Sequence, residues 1–344
     1  MSFASDPSLF VHQMDTARDR LLLMRVTEDE LRAASFLDQR LVQTPPGEAK
    51  RAMQWGDFAT IAPQTDAPGA PARDDARFIF HIGHVGSTLI ARLLGEAPDT
   101  LALREPQILR QFAELRMVDG LAHSPWPPGQ VSDRLPLARK WLSRTFRADQ
   151  RALIKATSFV SDIAGDLLEG SRKAVFLTLS PERYLQTILS GEASRQELAV
   201  LSSARLQRLN NRLHGPDINL WELDEAARAA MAWACELTAL DAAANENTLW
   251  QDFDDFLAQP AQTLTRIAEH IETAVSPDQA QSWVEGPIMQ RYSKAPEQGY
   301  SPQLREEVLA AAAQERRDDI ASALRWLDRA AGEHPAIASA MERA

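Results

Sequence analysis

Arg77-Phe-Ile-Phe-His-Ile-Gly-His-Val-Gly-Ser-Thr-Leu-Ile-Ala-Arg-Leu-Leu94 is the stretch on which the fold turns. Its apolar run over 78–82 predicts a short buried strand, its glycines at 83 and 86 a tight turn, and Ser87 and Thr88 the opening of a helix. A helix start leaves backbone N–H groups unpaired and carries the positive end of the helix dipole, so it suits a phosphate or sulfate. Gly83 and Gly86 let the backbone curl around such an anion, and the two hydroxyls add donors. The plainer alternative is an ordinary strand-to-helix turn with a hydroxyl cap. Two glycines and two hydroxyls converging on one helix start favour an anion cradle made of Gly83, His84, Val85, Gly86, Ser87 and Thr88.

What the loop lacks narrows its chemistry. A nucleoside-triphosphate loop reads G-x-x-x-x-G-K-[ST], its lysine reaching the terminal phosphates. With Ser87 aligned to that hydroxyl, Gly86 falls in the lysine slot and Phe80 where the first glycine belongs. Phosphoryl transfer thereby loses its principal charge.

Four further segments follow in order. They are Leu93-Leu-Gly-Glu-Ala-Pro-Asp-Thr-Leu-Ala-Leu-Arg-Glu-Pro106, Ala152-Leu-Ile-Lys-Ala-Thr-Ser158, Val175-Phe-Leu-Thr-Leu-Ser-Pro-Glu-Arg-Tyr-Leu-Gln-Thr187 and Trp250-Gln-Asp-Phe-Asp-Asp-Phe-Leu-Ala-Gln-Pro260. With Gly86-Ser87-Thr88, which resembles the end of the loop P-[KR]-S-G-T-T, they are similar in order and kind to the motifs of bacterial-type sulfotransferases. The resemblance covers about residues 77–295. It implies an α/β P-loop nucleotide-binding fold with a central parallel sheet flanked by helices. It also implies 3′-phosphoadenosine 5′-phosphosulfate as donor and a small molecule bearing a hydroxyl or amine as acceptor. The departures are specific: the loop's basic residue falls on His84 and its serine on Val85, and the arginine that grips the nucleotide 3′-phosphate falls on Leu179. The later serine is kept as Thr187.

Site residues follow from strand ends, where open α/β sheets place their chemistry. Sulfuryl transfer needs a group to take the acceptor's proton and a cation for the charge growing on the leaving phosphate. Glu105 matches, by the resemblance, the glutamate that tyrosylprotein sulfotransferases use as base, with Arg104 beside it to hold it ionised. The other readings are a structural Glu105–Arg104 pair or a Glu105 helix cap. Lys155 ends an apolar strand and is the candidate for the leaving phosphate, against a snorkelling surface lysine. His84 can donate when protonated or compete with Glu105 as base; His81 reads as a satisfied core histidine. Arg183, Thr187 and Arg195 are candidates to rebuild the 3′-phosphate site, with Arg291 and Lys294 on a late basic loop over the nucleotide. The histidines show no metal-ligand spacing, so no metal is expected.

Composition sets the outer limits. A chain of 344 residues, 44% of them hydrophobic, can bury a full core. The divisions expected are an N-terminal helical extension and linker over 1–75, the sulfotransferase-like domain over 76–300 and a helical tail packed on it over 301–344. A net charge of −11 argues against nucleic acid or another polyanion as partner. Cys235, the single cysteine, lies in an alanine-rich helical run and reads as a core thiol. No run reaches the ~18 apolar residues of a membrane span and the N-terminus has no leader pattern, so a cytoplasmic protein is expected. The loop His123-Ser-Pro-Trp-Pro-Pro-Gly129 reads either as a lid over a pocket or as a static surface connection. Three functions stay open on this reading: sulfuryl transfer, a nucleotide-dependent phosphoryl transfer on the same scaffold, or anion binding without chemistry.

Overall fold

A computed structural model of the chain describes residues 6–38, 51–57, 73–170, 172–292, 295–299 and 301–344. Strands β1 (Leu9–Asp15) and β2 (Arg20–Arg25) form an antiparallel hairpin, to which β3 (Arg51–Gln54) adds on the β2 side. The reversal is local chemistry: Asp15 accepts from the Arg18 amide and Asp19 adopts a left-handed φ of 50°. Helix α1 (Glu28–Ala33) lies between β2 and β3 in sequence and opens on a reciprocal Thr27–Glu30 capping box. Where the sequence suggests a helical extension, the described part of residues 1–75 is thus built around a sheet, with α1 a short helix inserted between its second and third strands in sequence.

The central sheet carries the site. Strands β4 (Arg77–His81), β5 (Thr100–Arg104), β6 (Arg151–Lys155), β7 (Ala174–Thr178) and β8 (Thr248–Asp252) pair in the order β5-β6-β4-β7-β8, every pair parallel. β4, β5 and β7 are buried throughout, as expected of a parallel sheet covered on both faces. β4 leads through α2 (Ser87–Leu94) to β5, two strands away on one side, and β7 lies on its other side. The strand order therefore reverses at the end of β4, where α/β sheets open a crevice.

Helices α3 (Gln107–Val118), α4 (Gln130–Leu142), α5 (Ala164–Leu168), α6 (Pro181–Ser190), α7 (Glu192–Arg212) and α8 (Glu225–Ala243) follow in the gaps between strands. α8 is buried on nearly every face, including Trp233, whose indole N–H donates to the Leu179 carbonyl at 3.0 Å. Its alanines permit that enclosure, since small side chains let neighbouring elements approach closely. Cys235 of α8 is fully buried, and burial pushes its thiol up, as a core thiol requires.

Beyond β8 come α9 (Phe253–Ala258), α10 (Pro260–His270), α11 (Pro277–Glu285), a small antiparallel pair β9 (Arg291–Tyr292) and β10 (Ala295–Gly299), then α12 (Pro302–Glu315), α13 (Arg317–Glu333) and α14 (Pro335–Met341). The proline-rich loop before α4 is anchored. Trp126 is buried with its ring 5.9 Å from that of Trp55 and 6.1 Å from that of Phe112, and the Arg134 guanidinium lies 4.4 Å over it. Its own tryptophan thus pins the loop against Trp55 and Phe112, the arrangement expected of a static connection. Among the described residues, no helix is long and apolar enough to cross a membrane.

Candidate functional site

The loop from β4 to α2 is shaped by backbone more than by side chains. Gly83 and Gly86 sit at φ of 97° and 65°, and His84 between them at 56°. A left-handed histidine is strained by about 1–2 kcal/mol, so something must hold it there. His81 braces the entry: its Nδ1 accepts from the Gly83 amide at 3.0 Å, which leaves Nε2 as the donor to the Ala156 carbonyl at 2.9 Å. It is a structural histidine, as its position in the strand predicts.

Past that brace the donors are unspent. Among the described residues, nothing accepts from the backbone amides of Val85, Gly86, Ser87, Thr88 and Leu89. The Thr88 hydroxyl, on a residue 3% exposed, is buried without a partner. Buried donors normally find acceptors. A row of them at a helix start, with the macrodipole behind, fits a tetrahedral oxyanion.

Gly86 has a second reason to be glycine. A Cβ built there would lie 1.9 Å from Cε2 of Phe253, at the start of α9. The space expected to belong to the anion on this side of Gly86 belongs to an aromatic ring. Gly86→Ala is expected to lose about 1–3 kcal/mol in urea denaturation from overpacking alone. The double variant with Phe253→Leu should lose less than the sum of the singles, because they share one contact.

Glu105 and Lys155 are brought together. They end the neighbouring strands β5 and β6; the Glu105 amide donates to the Lys155 carbonyl at 2.7 Å, and Lys155 Nζ pairs with Glu105 Oε1. Lys155 is fully buried, so the snorkelling reading is wrong. Glu105 has a left-handed φ of 56°. Only Asp19, His84, Glu105 and Glu272 among described non-glycines have positive φ, and two of these four stand at the ends of central strands. Strain of that kind collects at functional sites. Arg104 does not hold Glu105. It donates instead to the carbonyls of Ala34 at 2.8 Å and Arg32 at 2.7 Å, closing the C-terminal end of α1, and burial pushes its guanidinium down to about 10.

The crevice also holds residues the sequence reading did not place in the site. Thr157, just after β6, has a buried hydroxyl without a partner. Ser158 Oγ and Tyr184 Oη come within 3.6 and 3.9 Å of a Cβ built on Gly83. Burial pushes the Tyr184 hydroxyl up, so it stays protonated. Ser158 and Thr157 could have been suspected from their place directly after the strand of Lys155.

The candidates for the nucleotide's 3′-phosphate are not gathered. Arg183 Nε donates to Asp254 at 2.7 Å and another nitrogen pairs with Glu306 of α12. Thr187 turns back to its own helix, donating to the Arg183 carbonyl at 2.8 Å. Arg195 lies 3.7 Å from Glu225. Leu179 is fully buried. Arg291 is exposed on β9, and Lys294 lies outside the described residues. The loop amides and the Thr88 hydroxyl thus form one group of donors, whereas Arg183, Thr187 and Arg195 are each turned to partners of their own.

No protein-family model matches the chain, and no curated protein matches it in sequence. Among solved structures it is similar to the sulfotransferase domain from the curacin biosynthetic pathway, at 12% identity over 69% of this chain and 95% of that one, with a TM-score of 0.39. It is similar to a sulfotransferase from Mycobacterium avium, at 13% identity over 90% of this chain and 93% of that one, with a TM-score of 0.40. A further likeness is to retinol dehydratase in a complex with retinol and PAP, at 14% identity over 77% and 86% of the two chains, with a TM-score of 0.30. Values this low bear on neither donor, acceptor nor catalytic residues.

Proposed function

We propose that this protein transfers a sulfuryl group from 3′-phosphoadenosine 5′-phosphosulfate to a hydroxyl or amine on a small acceptor. The carrying observation is the row of unpartnered donors at the start of α2, the amides of 85–89 and the Thr88 hydroxyl. The donor molecule supplies the sulfuryl group; the chain supplies its surroundings. The loop amides, Ser87 and Thr88 hold the phosphosulfate oxygens without having to reorganise. Lys155 balances the charge that gathers on the leaving phosphate. Glu105, paired with the same lysine, takes the acceptor's proton.

The 3′-phosphate reading asks Arg183 to exchange a carboxylate for a phosphate. Its pair with Glu306 is exposed on the carboxylate side, with side-chain exposures of 24% and 57%, so Glu306 is the partner a phosphate would displace. Adenosine 3′,5′-bisphosphate is expected to bind at least about tenfold tighter than adenosine monophosphate, a difference of ~1.4 kcal/mol. Arg183→Ala should remove that preference in the same calorimetric titration. Equal affinities in the parent protein would sink the donor assignment.

One observation favours a second reading, anion binding without chemistry. The family's 3′-phosphate arginine is here a buried leucine, and Arg183 is held by two carboxylates. On that reading small oxyanions bind the loop and the two nucleotides bind alike.

A further inference from the structure

Within residues 83–88 the one titratable side chain is that of His84, and what stands behind it is unusual. His84 Nε2 lies 3.6 Å from Glu197 Oε2, on the first turns of α7. The other oxygen of Glu197 accepts from Arg205 at 3.3 Å. Arg205 is 3% exposed, and its Nε donates to Glu236 of α8 at 3.1 Å. Glu236 is fully buried and is gripped by Arg208 at 3.1 and 2.9 Å and by the Ser161 hydroxyl. A strained loop residue is thus tied through alternating carboxylates and guanidiniums to an anchor in the core.

We propose that Glu197 is a positioning residue of the anion cradle: it holds the left-handed His84 in place and favours its imidazolium, so that sulfate- or phosphate-type oxyanions bind a positively charged loop. The inference rests on the reading of residues 83–88 as an anion site. Its physics is short. An imidazolium beside a carboxylate is favoured over imidazole, and a rigid tether spares the loop the entropy of ordering a side chain when the anion arrives. Arg205, which holds that carboxylate from behind, is itself buried and paired with Glu236.

Several charged and titratable groups stand on this side of the loop among the described residues. α7 supplies Glu197 and, behind it, Arg205; α6 supplies Tyr184, whose hydroxyl approaches Gly83. Glu236 and Arg208 lie deeper, and the Glu105–Lys155 pair stands at the neighbouring strand ends. Tyr184 remains protonated, and the guanidiniums remain charged, across the range in which a histidine changes state.

The test uses inorganic sulfate and the full chain. In the parent protein, sulfate affinity is expected to fall as pH rises between about 5.5 and 8, following the His84 imidazole. Glu197→Gln should move the midpoint of that fall down by about half a pH unit, a modest amount because Glu197 is partly solvated. His84→Gln should flatten the profile. Imidazole nitrogen resonances of His84, followed without sulfate, should show the same downward move in Glu197→Gln, independently of ligand. If sulfate binds and Glu197→Gln keeps the parent midpoint by both measurements, this inference is wrong while the cradle stands. If the parent binds no sulfate at any pH, the cradle reading is wrong and the inference falls with it.

Discussion

Glu236→Ala is expected to remove about 3–5 kcal/mol of folding stability, a large share of the ~5–15 kcal/mol a domain usually has. Among the described residues Glu236 is the one buried carboxylate, and it stands between two buried guanidiniums, Arg205 and Arg208. Burial opposes the charge of all three groups, and their mutual attraction outweighs it: burial alone would raise the Glu236 carboxyl, but Arg208 and Arg205 hold it below its usual range. Deleting the carboxylate leaves two buried guanidiniums with only their outer carboxylates, Glu197 for Arg205 and Asp162 for Arg208. Because its native value is depressed, the stability Glu236 contributes is fully present above the ordinary carboxylate range and is lost as pH falls through the lowered value. Urea melts across acid pH should therefore show a dependence in the parent protein that Glu236→Gln lacks. The triple change Arg205→Leu, Arg208→Met and Glu236→Leu should regain most of the lost stability, since apolar replacements of a buried ion network are often neutral. A triple variant that is as unstable as Glu236→Ala would mean that packing, not charge, is what Glu236 supplies.

That network was not legible in the sequence, and the reason is physical. Arg205, Arg208 and Arg212 repeat on one long helix rich in Glu, Gln, Ser and Asn, and such a pattern reads as a solvated face. Only the partner helix turns it inward. Glu236 sits 28 residues after Arg208, within an alanine-rich run that gives no hint of a buried charge. The same limit hid Phe253 from Gly86, whose contact depends on how α9 returns to the loop. What the sequence does encode is whatever is local. The β4 strand, the glycine turn and the helix opening at Ser87 are where the pattern puts them. The helix Pro260–His270 begins at the proline expected at its start. The N-terminal strands fell between these cases. Leu9–Asp15 and Arg20–Arg25 carry apolar residues on a short hydrogen-bonded reversal, a hairpin signal outweighed by the acidic, threonine-capped helix that follows. In the site, position predicted that Glu105 and Lys155 would each stand at a strand end. It did not predict that they pair with each other, which changes how their variants must be read.

Glu105→Gln is expected to lower sulfuryl transfer about 10²–10⁴-fold, the usual range for loss of a general base. The measurement is transfer of labelled sulfuryl from the donor across phenol, alcohol and amine acceptors. By itself the loss would be ambiguous. Lys155 is fully buried against Glu105, and a buried lysine stripped of its carboxylate can destabilise by several kcal/mol, so a dead variant can be merely a misfolded one. Lys155→Met separates the two causes. It removes the buried charge with little change of volume, and Glu105, with 14% of its side chain exposed, can then turn to water. The double variant Glu105→Gln/Lys155→Met should therefore melt close to the parent protein while remaining inactive. Lys155→Met alone should lose both turnover and donor affinity, because its charge serves the bound phosphosulfate as well as the transition state. If Glu105→Gln keeps full turnover while His84→Ala has none, the proton is taken by the loop histidine, and Glu105 is there as the structural partner of Lys155. If the double variant regains turnover along with stability, neither residue takes part in the chemistry, and the strand-end pair is structural.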